Sequence, residues 1–546
     1  MSASPTDAAP TPAPTSSRVH RLRWWTLAVL CLSLLMVVVD NTIVNVALPT
    51  LSTELDASTT ELQWIVDAYT LVFAALLLAF GHFGDRFGRK LALQLGLVIF
   101  AATSLLAAMS TTSTQLIGAR ALMGIGAAFV FPATLAILVS VFTDRRERAA
   151  AIGIWSACTG LAVALGPVTG GYLLEHFEWG AIFLVNLPLA ALAIIAGWFL
   201  VPTSRDPNAG RMDHLGLVLS AVGVGLVVWS IIEAPHLGWT APAVMVGGAV
   251  GVALLVGFVL WERRIVHPLL DVRLFRNARF SAASISVAAA FFALFGFIFM
   301  ITQYLQLVQG YSPLEAGLRT LPFAIATGVT SPLAIVAMHR WGTKAVVAVG
   351  LAVMSLGFVL ASLVEVDTPY TGLTLISMVT IATGLGLTSG PATESIMGAL
   401  PADKAGVGSA VNDTTRELGG TLGVAIVGSV FASAYGAAIV DALAPLDLPE
   451  SVLAAAGDSM AAGLTVAASL PGDVAGEVVA AAQNAFIDGL STGSLVAAGV
   501  AAAGAVVAAL YLPARQSLMR QDPVPTAPSD AEAAASTERS SSPVKA

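Results

Sequence analysis

Charged residues are scarce in this sequence: Asp, Glu, Lys and Arg make up only 11% of the 546 residues, whereas about a quarter is usual in soluble domains. Apolar residues make up 56%, and the mean hydropathy is +0.83. This balance excludes a water-soluble protein. Apolar runs of about 20 residues, the length of a membrane-spanning helix, recur along the chain, and the short alternating segments of a β-barrel are missing. The sequence therefore predicts an all-α integral membrane protein.

Cysteine is rare too, and no nucleotide or metal motif is present. Cys31 and Cys158 both lie in apolar runs, match no metal-ligand spacing, and are interpreted as packing residues. A G-x-x-x-x-G-K-[ST] loop is missing, as is a soluble domain that would hold one. Neither the clustered acids and histidines of a membrane enzyme nor a sensory domain or pore motif appears. We expect a transporter without metal, cofactor or nucleic-acid partner. Its energy source would be the proton gradient, which supplies about 2.3 kcal/mol per charge per 100 mV.

Fourteen apolar runs predict fourteen transmembrane helices. Apart from Arg120, Arg319 and Arg416, every Lys and Arg falls in loops on one side of these helices or in the two tails. Since basic loops stay in the cytoplasm, both termini are expected on the cytoplasmic side. The protein is expected in the cell membrane of a bacterium. The expected spans are 24–47, 62–80, 91–109, 114–141, 149–174, 180–201, 214–233, 242–261, 280–307, 316–338, 345–365, 371–398, 412–437 and 488–512.

The chain also repeats itself. The segment "PATLAIL" at 132–138 matches "PATESIM" at 391–397, and "RFGRK" at 86–90 is echoed by "RWGTK" at 340–344. The offsets are nearly equal, so spans 1–6 pair with spans 9–14 as parallel repeats, an architecture that places the transport site between the halves. Chance similarity of Ala/Gly-rich helices is the alternative.

This repeat divides the chain into five regions. The outer loop at 438–486 has six acidic residues and no basic one, and short surface helices are expected there without a derivable role. The regions are a disordered cytoplasmic tail at 1–23, a six-helix bundle at 24–201, two inserted helices with a cytoplasmic linker at 202–279, a second six-helix bundle at 280–512, and a disordered cytoplasmic tail at 513–546.

The segment "GHFGDRFGRK" at 81–90 joins spans 2 and 3. Its glycines permit a tight turn, its aspartate would face a neighbouring helix N-terminus, and its basic residues would bond helix C-terminal carbonyls or anionic lipid. A simple positive-inside anchor is the alternative. The predicted gating residues are Gly81, Gly84, Asp85, Arg86, Gly88, Arg89 and Lys90.

These residues resemble the G-x-L-A-D-R-x-G-R-K signature of the major facilitator superfamily. The segments "RALMGIGAA" (120–128) and "GLAVALGPVTGG" (160–171) resemble its span-4 motif and its span-5 antiporter motif. The segments "VDNTIVNVALP", "HPLLDVRLFRNARF" and "GYSPLEAGLRTLP" are similar to hallmarks of its fourteen-span drug:proton antiporter branch, and the resemblance covers roughly residues 20–515. Two departures are Phe83-Gly84 in place of Leu-Ala, and His339 where the first copy has Asp85, so the second gate is expected to be weaker.

The resemblance implies two fused helical bundles that work by alternating access. It implies a proton-coupled exporter of hydrophobic drugs or antibiotics, acting as a monomer and conferring resistance. The alternative is a proton-coupled importer of a small metabolite, against which the span-5 Gly-Pro-Gly-Gly pattern argues. Whether one drug or many are carried stays open.

Two acids lie within the first two spans. A carboxylate such as Asp40 costs about 2.5–3.5 kcal/mol inside a membrane helix, and since desolvation favours its neutral form, Asp40 is a candidate proton carrier. A packing hydrogen bond is the alternative. Asp67 would share this role or meet a cationic substrate, unless it lies at the membrane interface.

Further charged residues complete the predicted coupling set. Arg120 is the expected partner of a carboxylate and a participant in proton coupling, with a static charge pair as the alternative. Glu394 is expected to face the cavity, as a second titrating group or a cation binder, or else to snorkel at the inner end of its span. Arg416 and Glu417 are expected to snorkel.

The last candidates concern packing and substrate. The motif glycines and proline of span 5 would give a bent, closely packed seam that permits rocking. Aromatic and amide residues of spans 1 and 9 would line a cavity for a hydrophobic substrate, although an aromatic stripe is more often a packing or lipid contact. The seam residues are Gly160, Gly166, Pro167, Gly170 and Gly171; the cavity residues are Asn41, Asn45, Phe291, Phe295, Phe299 and Gln303.

Overall fold

The computed structural model describes residues 17–205, 212–266, 268–400, 405–446 and 448–513. Within these ranges, 14 helices are long and apolar enough to cross a membrane, which confirms the predicted number. Most of the two predicted disordered tails, and the loop segment 401–404, lie outside the described residues. Residues 17–23 are an exception: they were expected to be disordered, but they form the first turns of a helix.

The first half of the chain forms spans 1–6. Its helices are α1 (Ser17–Glu54), α2 (Thr59–Phe87), α3 (Arg89–Ala108), α4 (Ser113–Val141), α5 (Arg145–His176), α6 (Ala181–Leu184) and α7 (Asn186–Leu200). Helices α6 and α7 together make one span, Ala181–Leu200. It is interrupted beside Pro188, whose missing N–H and ring disfavour a continuous helix. The interruption places Asn186 at the start of α7.

The remaining helices comprise the inserted pair and the second half. The pair is α8 (His214–Leu237) and α9 (Pro242–Glu262). The second half comprises α10 (Ala278–Gln303), α11 (Pro313–Arg319), α12 (Leu321–Trp341), α13 (Thr343–Ala361), α14 (Leu375–Met397), α15 (Ala405–Leu443), α16 (Glu450–Asp458), α17 (Met460–Ala468) and α18 (Gly472–Tyr511). Short 3₁₀ turns lie at Val272–Arg276 and Ala444–Leu446, and π-helical turns at Tyr304–Val308 and Tyr370–Thr374.

The two copies of the R-x-G-x-K segment turn in the same way. Gly88 joins α2 to α3 with a φ of 126°, and Gly342 joins α12 to α13 with a φ of 86°. Both angles lie in the region that residues with a Cβ rarely adopt. The repeated glycine therefore marks the same sharp connection in both halves.

The acidic loop at 438–486 is largely helical. Helix α15 continues to Leu443 and α18 already begins at Gly472, so both predicted spans were too short at this loop. Between them lie the short helices α16 and α17, as expected. This segment contacts the first half: Thr59 Oγ1 donates to the carbonyl oxygen of Asp458 at 2.8 Å, and the hydroxyls of Ser52 and Ser459 lie 3.4 Å apart.

The hydrogen bonds between the two halves that the described residues make are concentrated towards one side of the bundle. We call the face where α1 begins the terminal side and the opposite face the far side. In the described residues, hydrogen bonds between the halves run from mid-height to the far side: Thr302 Oγ1 donates to Asn45 O at 2.8 Å, and Gln306 Nε2 to Val46 O at 2.9 Å. On the terminal side, α5 is half-buried or exposed at every residue of 150–161 except Ala151, and near mid-height a Cβ added at Gly160 of α5 or Gly328 of α12 would have no neighbour within 4 Å. The molecule is thus closed on the far side and open on the terminal side.

Candidate functional site

Asp40 and Arg120 form an ion pair inside the first half. Arg120 Nη1 lies 2.5 Å from Asp40 Oδ2, and both side chains are 0% exposed. Removing one member of such a pair leaves a buried charge unpaired, which costs about 3–5 kcal/mol. The arginine is therefore the partner that the sequence predicted for a buried carboxylate.

An amide that the sequence interpretation missed holds the other oxygen of Asp40. Asn186 Nδ2 donates to Asp40 Oδ1 at 2.7 Å and lies 3.3 Å from Ser104 Oγ. Asn186 is fully buried, and the interruption before α7 places it there. Its signal in the sequence was a lone asparagine in an apolar run, two residues before Pro188.

Arg120 is further fixed by its neighbours in α2. Its Nε donates to Ile65 O at 3.1 Å, and its guanidinium carbon lies 4.3 Å from the ring centroid of Tyr69. Tyr69 in turn donates its hydroxyl to Val37 O at 3.2 Å. Among the described residues, Arg120 Nη2 has no hydrogen-bond partner. The guanidinium is therefore held in place while keeping one donor for a changing partner.

Asp67 is fully buried, about two turns from the start of α2. Thr70 Oγ1 lies 3.4 Å from Asp67 Oδ1, and Asp67 Oδ2 has no hydrogen-bond partner among the described residues. Thr70 also receives a hydrogen bond from Thr421 of α15, at 3.1 Å. Asp67 is therefore one hydroxyl away from the second half.

The second half contributes a charged cluster from α15. Arg416 Nη1 lies 4.0 Å from Asp413 Oδ1, and the Arg416 guanidinium carbon lies 4.4 Å from the ring centroid of Phe291. Glu417 Oε2 is buried without a hydrogen-bond partner among the described residues. Helix α15 begins at Ala405, earlier than the predicted span, so Glu417 lies roughly 18 Å along it, and the snorkelling of Arg416 and Glu417 stays a prediction.

Glu394 lies elsewhere. It is partly buried and less than one turn before the end of α14 at Met397, on the terminal side of the second half. The neighbouring Ser395 accepts a hydrogen bond from Arg279 Nε at 3.1 Å. The structure therefore does not bring Glu394 together with Asp40 and Arg120.

The loop at 81–90 makes its polar contacts within the first half. Asp85 pairs with Arg89, with Nη2 to Oδ1 at 2.8 Å, rather than facing a helix N-terminus as expected. Arg89 Nη1 donates to Ala136 O near the end of α4 at 3.4 Å, and Lys90 Nζ donates to Trp198 O near the end of α7 at 2.7 Å. These are the carbonyl contacts expected of its basic residues. Arg86 stacks on Phe87, and Gly81 and Gly84 lie against Pro132 and Ala92.

The span-5 motif forms the far-side seam. A Cβ added at Gly171 would lie 2.5 Å from Leu314 Cα of α11, and one added at Gly170 would lie 2.7 Å from Ile43 Cγ1 of α1. Gly166 packs as tightly against Thr42, and the carbonyl of Pro167 lies against Gly317. Gly160 differs, because it faces open space. The close packing predicted for this motif therefore holds for its far-side part alone.

A small cavity between the halves lies beside this seam. Asn45, Pro167 and Thr302 line it together with Phe297 and Phe323. The predicted stripe of Phe291, Phe295 and Phe299 is not part of this lining. Phe291 and Phe299 are buried, and Phe295 packs against Gly420 of α15, so the packing alternative describes the stripe. Asn41 and Gln303 are likewise buried, and Gln303 Nε2 donates to Phe299 O at 2.8 Å.

Two helical bundles that are closed against each other on one side and open on the other, with a buried ion pair inside the first bundle, define a secondary membrane transporter. The chain belongs to the Major Facilitator Superfamily, whose model matches residues 30–424. It is therefore a multi-pass membrane transporter and not an enzyme.

Relatives whose names state a function align with most of the chain. Multidrug efflux pump LfrA of Mycolicibacterium smegmatis is 37% identical over 494 residues, which is 90% of this chain and 97% of that protein. The tetracenomycin C resistance and export protein of Streptomyces glaucescens is 32% identical over 92% of this chain and 94% of its own length. Methyl viologen resistance protein SmvA of Salmonella typhimurium is 36% identical over 85% and 93%.

Among solved structures, a bacterial homolog to the human lysosomal transporter Spinster, inward-facing and unoccupied, superposes with a TM-score of 0.63. It covers 89% of this chain and 97% of its own, at 18% identity. At this identity the likeness concerns the fold alone.

Proposed function

We propose that this protein exports hydrophobic drugs or antibiotics in exchange for protons. The names of its relatives support export of toxic compounds. The single observation that supports proton coupling is the fully buried Asp40–Arg120 pair. Burying charged side chains inside a membrane protein costs free energy, and we expect this cost where protonation of the carboxylate has a function.

The open side fits this direction of transport. With the basic loops in the cytoplasm, the terminal side faces the cell interior, and the structure represents the conformation that accepts substrate from the cytoplasm. The far-side seam between Gly171 and Leu314 closes the exit. Reorientation opens this seam and closes the terminal side.

Protonation of Asp40 supplies the switch. The charged carboxylate holds the Arg120 guanidinium within the first half, at 2.5 Å. A proton from the outside removes that attraction, and the arginine, which keeps its charge at any physiological pH, must then find another anion. Asn186 donates to Asp40 Oδ1 and keeps the neutral acid in place. The proton thus changes the partner of Arg120 instead of moving Asp40.

The charged cluster of α15 selects the substrate. Asp413 and Glu417 place two acids beside Arg416, and both residues are half-buried. A lipophilic cation gains attraction from such acids that a neutral compound does not. We therefore infer a preference for cationic or weakly basic hydrophobic compounds. Both halves are present in one chain, which supports transport by a monomer.

The test is drug uptake into inverted membrane vesicles with an imposed proton gradient. Asp40→Asn abolishes gradient-driven uptake, and Asp488→Asn, an exposed acid on α18, leaves it unchanged. An Asp40→Asn protein that still couples uptake to the gradient would refute the assignment. Uptake in the opposite direction by the unaltered protein would favour an importer.

A further inference from the structure

A second cleft lies on the outer surface of the first half, away from the ion pair and the seam. Its volume is about 400 Å³, and it opens at the terminal-side ends of α3 and α7. The residues that line it are Phe87, Gly88, Lys90, Leu91, Gln94, Trp198, Thr203, Ser204 and Arg205. Among the described residues, this lining contains two basic side chains, Lys90 and Arg205, and no acidic one.

The polar end of the cleft is built from both connections that flank it. Lys90 Nζ is held at the rim by its bond to Trp198 O at 2.7 Å, and it lies 5.8 Å from the Trp198 ring centroid. Arg205 follows α7 and is exposed. Thr203 and Ser204 add hydroxyl groups. Two cations and two hydroxyls at one end of a groove are suited to a phosphate group.

Beside these polar groups the cleft has an apolar and exposed wall. Trp198 is 66% exposed, Phe87 56% and Leu91 47%, and all three lie at the ends of membrane-spanning helices. Aromatic side chains at this level are typical of the membrane interface. A ligand that fills the whole cleft therefore carries an anionic group at one end and hydrocarbon at the other.

We propose that this cleft binds one anionic glycerophospholipid from the leaflet on the terminal side. Its headgroup lies between Lys90 and Arg205, and an acyl chain lies along Leu91 and Trp198. The basic loops place this side in the cytoplasm, where the leaflet carries anionic lipid. A zwitterionic lipid gains less, since its cationic part meets two cations. The bound lipid also lies against Ser204, whose carbonyl oxygen accepts the Arg89 N–H at 2.9 Å, and it thereby steadies the loop at 81–90.

The test is native mass spectrometry of the purified protein with equal amounts of phosphatidylglycerol and phosphatidylcholine of the same chain length. We expect the first phosphatidylglycerol to be retained in preference, and Arg205→Gln to lower that retention about fivefold, the effect of one cation near the surface. Arg276→Gln, an exposed arginine on the same side, is the matched control. Equal retention of both lipids, or equal loss in both variants, would overturn the proposal.

A second pair of measurements separates a lipid from a free phosphate. Trp198→Ala removes the apolar wall and is expected to weaken phosphatidylglycerol retention as well, while excess inorganic phosphate is expected to leave it unchanged. Displacement by inorganic phosphate, with no effect of Trp198→Ala, would mean that the cleft takes a free anion and that the lipid assignment is wrong.

Discussion

The two halves share a helical architecture but differ in where their charged residues lie. The first half holds Asp40 and Arg120 in its core. At the repeat offset, the counterparts of Asp40 fall in 294–299, which reads Leu-Phe-Gly-Phe-Ile-Phe, and those of Arg120 fall in 374–379, which has no charge. The second half carries its charges on α15 instead. This difference fits the proposed mechanism, in which the first half carries the proton and the second half binds the substrate.

The largest effect is expected from breaking the ion pair. Arg120→Gln leaves Asp40 buried without its cation, so we expect a loss of about 3–5 kcal/mol in the free energy of unfolding and no transport. The double variant Asp40→Asn/Arg120→Gln is expected to regain much of the stability but none of the transport. Thermal unfolding in detergent and vesicle uptake measure the two effects. A double variant as unstable as the single one would show that the pair is not the source of the loss.

The seam offers the next test, with a control inside the same motif. Gly171→Ala places a Cβ 2.5 Å from Leu314 Cα, and a backbone atom cannot move aside cheaply. We expect a shift towards the conformation open on the far side and about a tenfold fall in export, since 1.4 kcal/mol of bias corresponds to tenfold. Gly160→Ala meets no neighbour within 4 Å and is expected to export normally. Accessibility of a far-side cysteine to a membrane-impermeant reagent reads out the shift, and equal accessibility in both variants would contradict it.

A smaller effect is expected from a substitution in the second half, which is proposed to bind the substrate. Glu417→Gln removes one acid from the α15 cluster and is expected to lower export of a cationic dye severalfold relative to a neutral compound of similar size, because the lost attraction is on the order of 1 kcal/mol. Glu477→Gln, exposed on α18, is the control. An equal fall for both compounds would assign Glu417 to coupling instead.

The smallest effect is expected at a surface acid, Asp458, in contrast to the buried Asp40. Partial burial raises the pKa of Asp458 above its ordinary value of about 3.8, although His236 nearby opposes the rise. Folding therefore favours the protonated form, and the charged form lowers stability as the pH rises above about 4. Asp458→Asn is expected to raise the unfolding temperature by on the order of 1 °C at pH 7 and not at all at pH 3. A larger gain at pH 3 would reverse the assigned direction.

A site residue can be predicted from the sequence where its charge conflicts with an apolar surrounding. Asp40 and Arg120 each stand out in an apolar helix, so their pairing was predictable, as were fourteen spans from fourteen apolar runs. Asn186 was missed because a buried amide costs less than a charge and therefore stands out less. The interruption beside it depends on Pro188, which by itself does not show which neighbour the asparagine meets.

The position of a residue along its helix and the neighbour that its side chain meets were harder to predict. The predicted span 13 started at 412, whereas α15 starts at Ala405, so the position of Glu417 along its helix differs from the predicted one. The spacing of Phe291, Phe295 and Phe299 correctly gives one face of α10. However, periodicity does not tell which helix that face meets, and here it meets α15 instead of the cavity.

The inserted pair determines where hydrocarbon can reach the interior. Helix α8 packs against both halves where α2 meets α15: Trp64 Nε1 donates to Glu233 Oε1 at 2.9 Å, and Ser429 Oγ to Ile231 O at 2.8 Å. On this flank, lipid tails are kept away from the junction. The opposite flank, where Gly160 and Gly328 border open space, has no such cover. A hydrophobic compound dissolved in the inner leaflet would therefore enter laterally through that flank, without first passing into water.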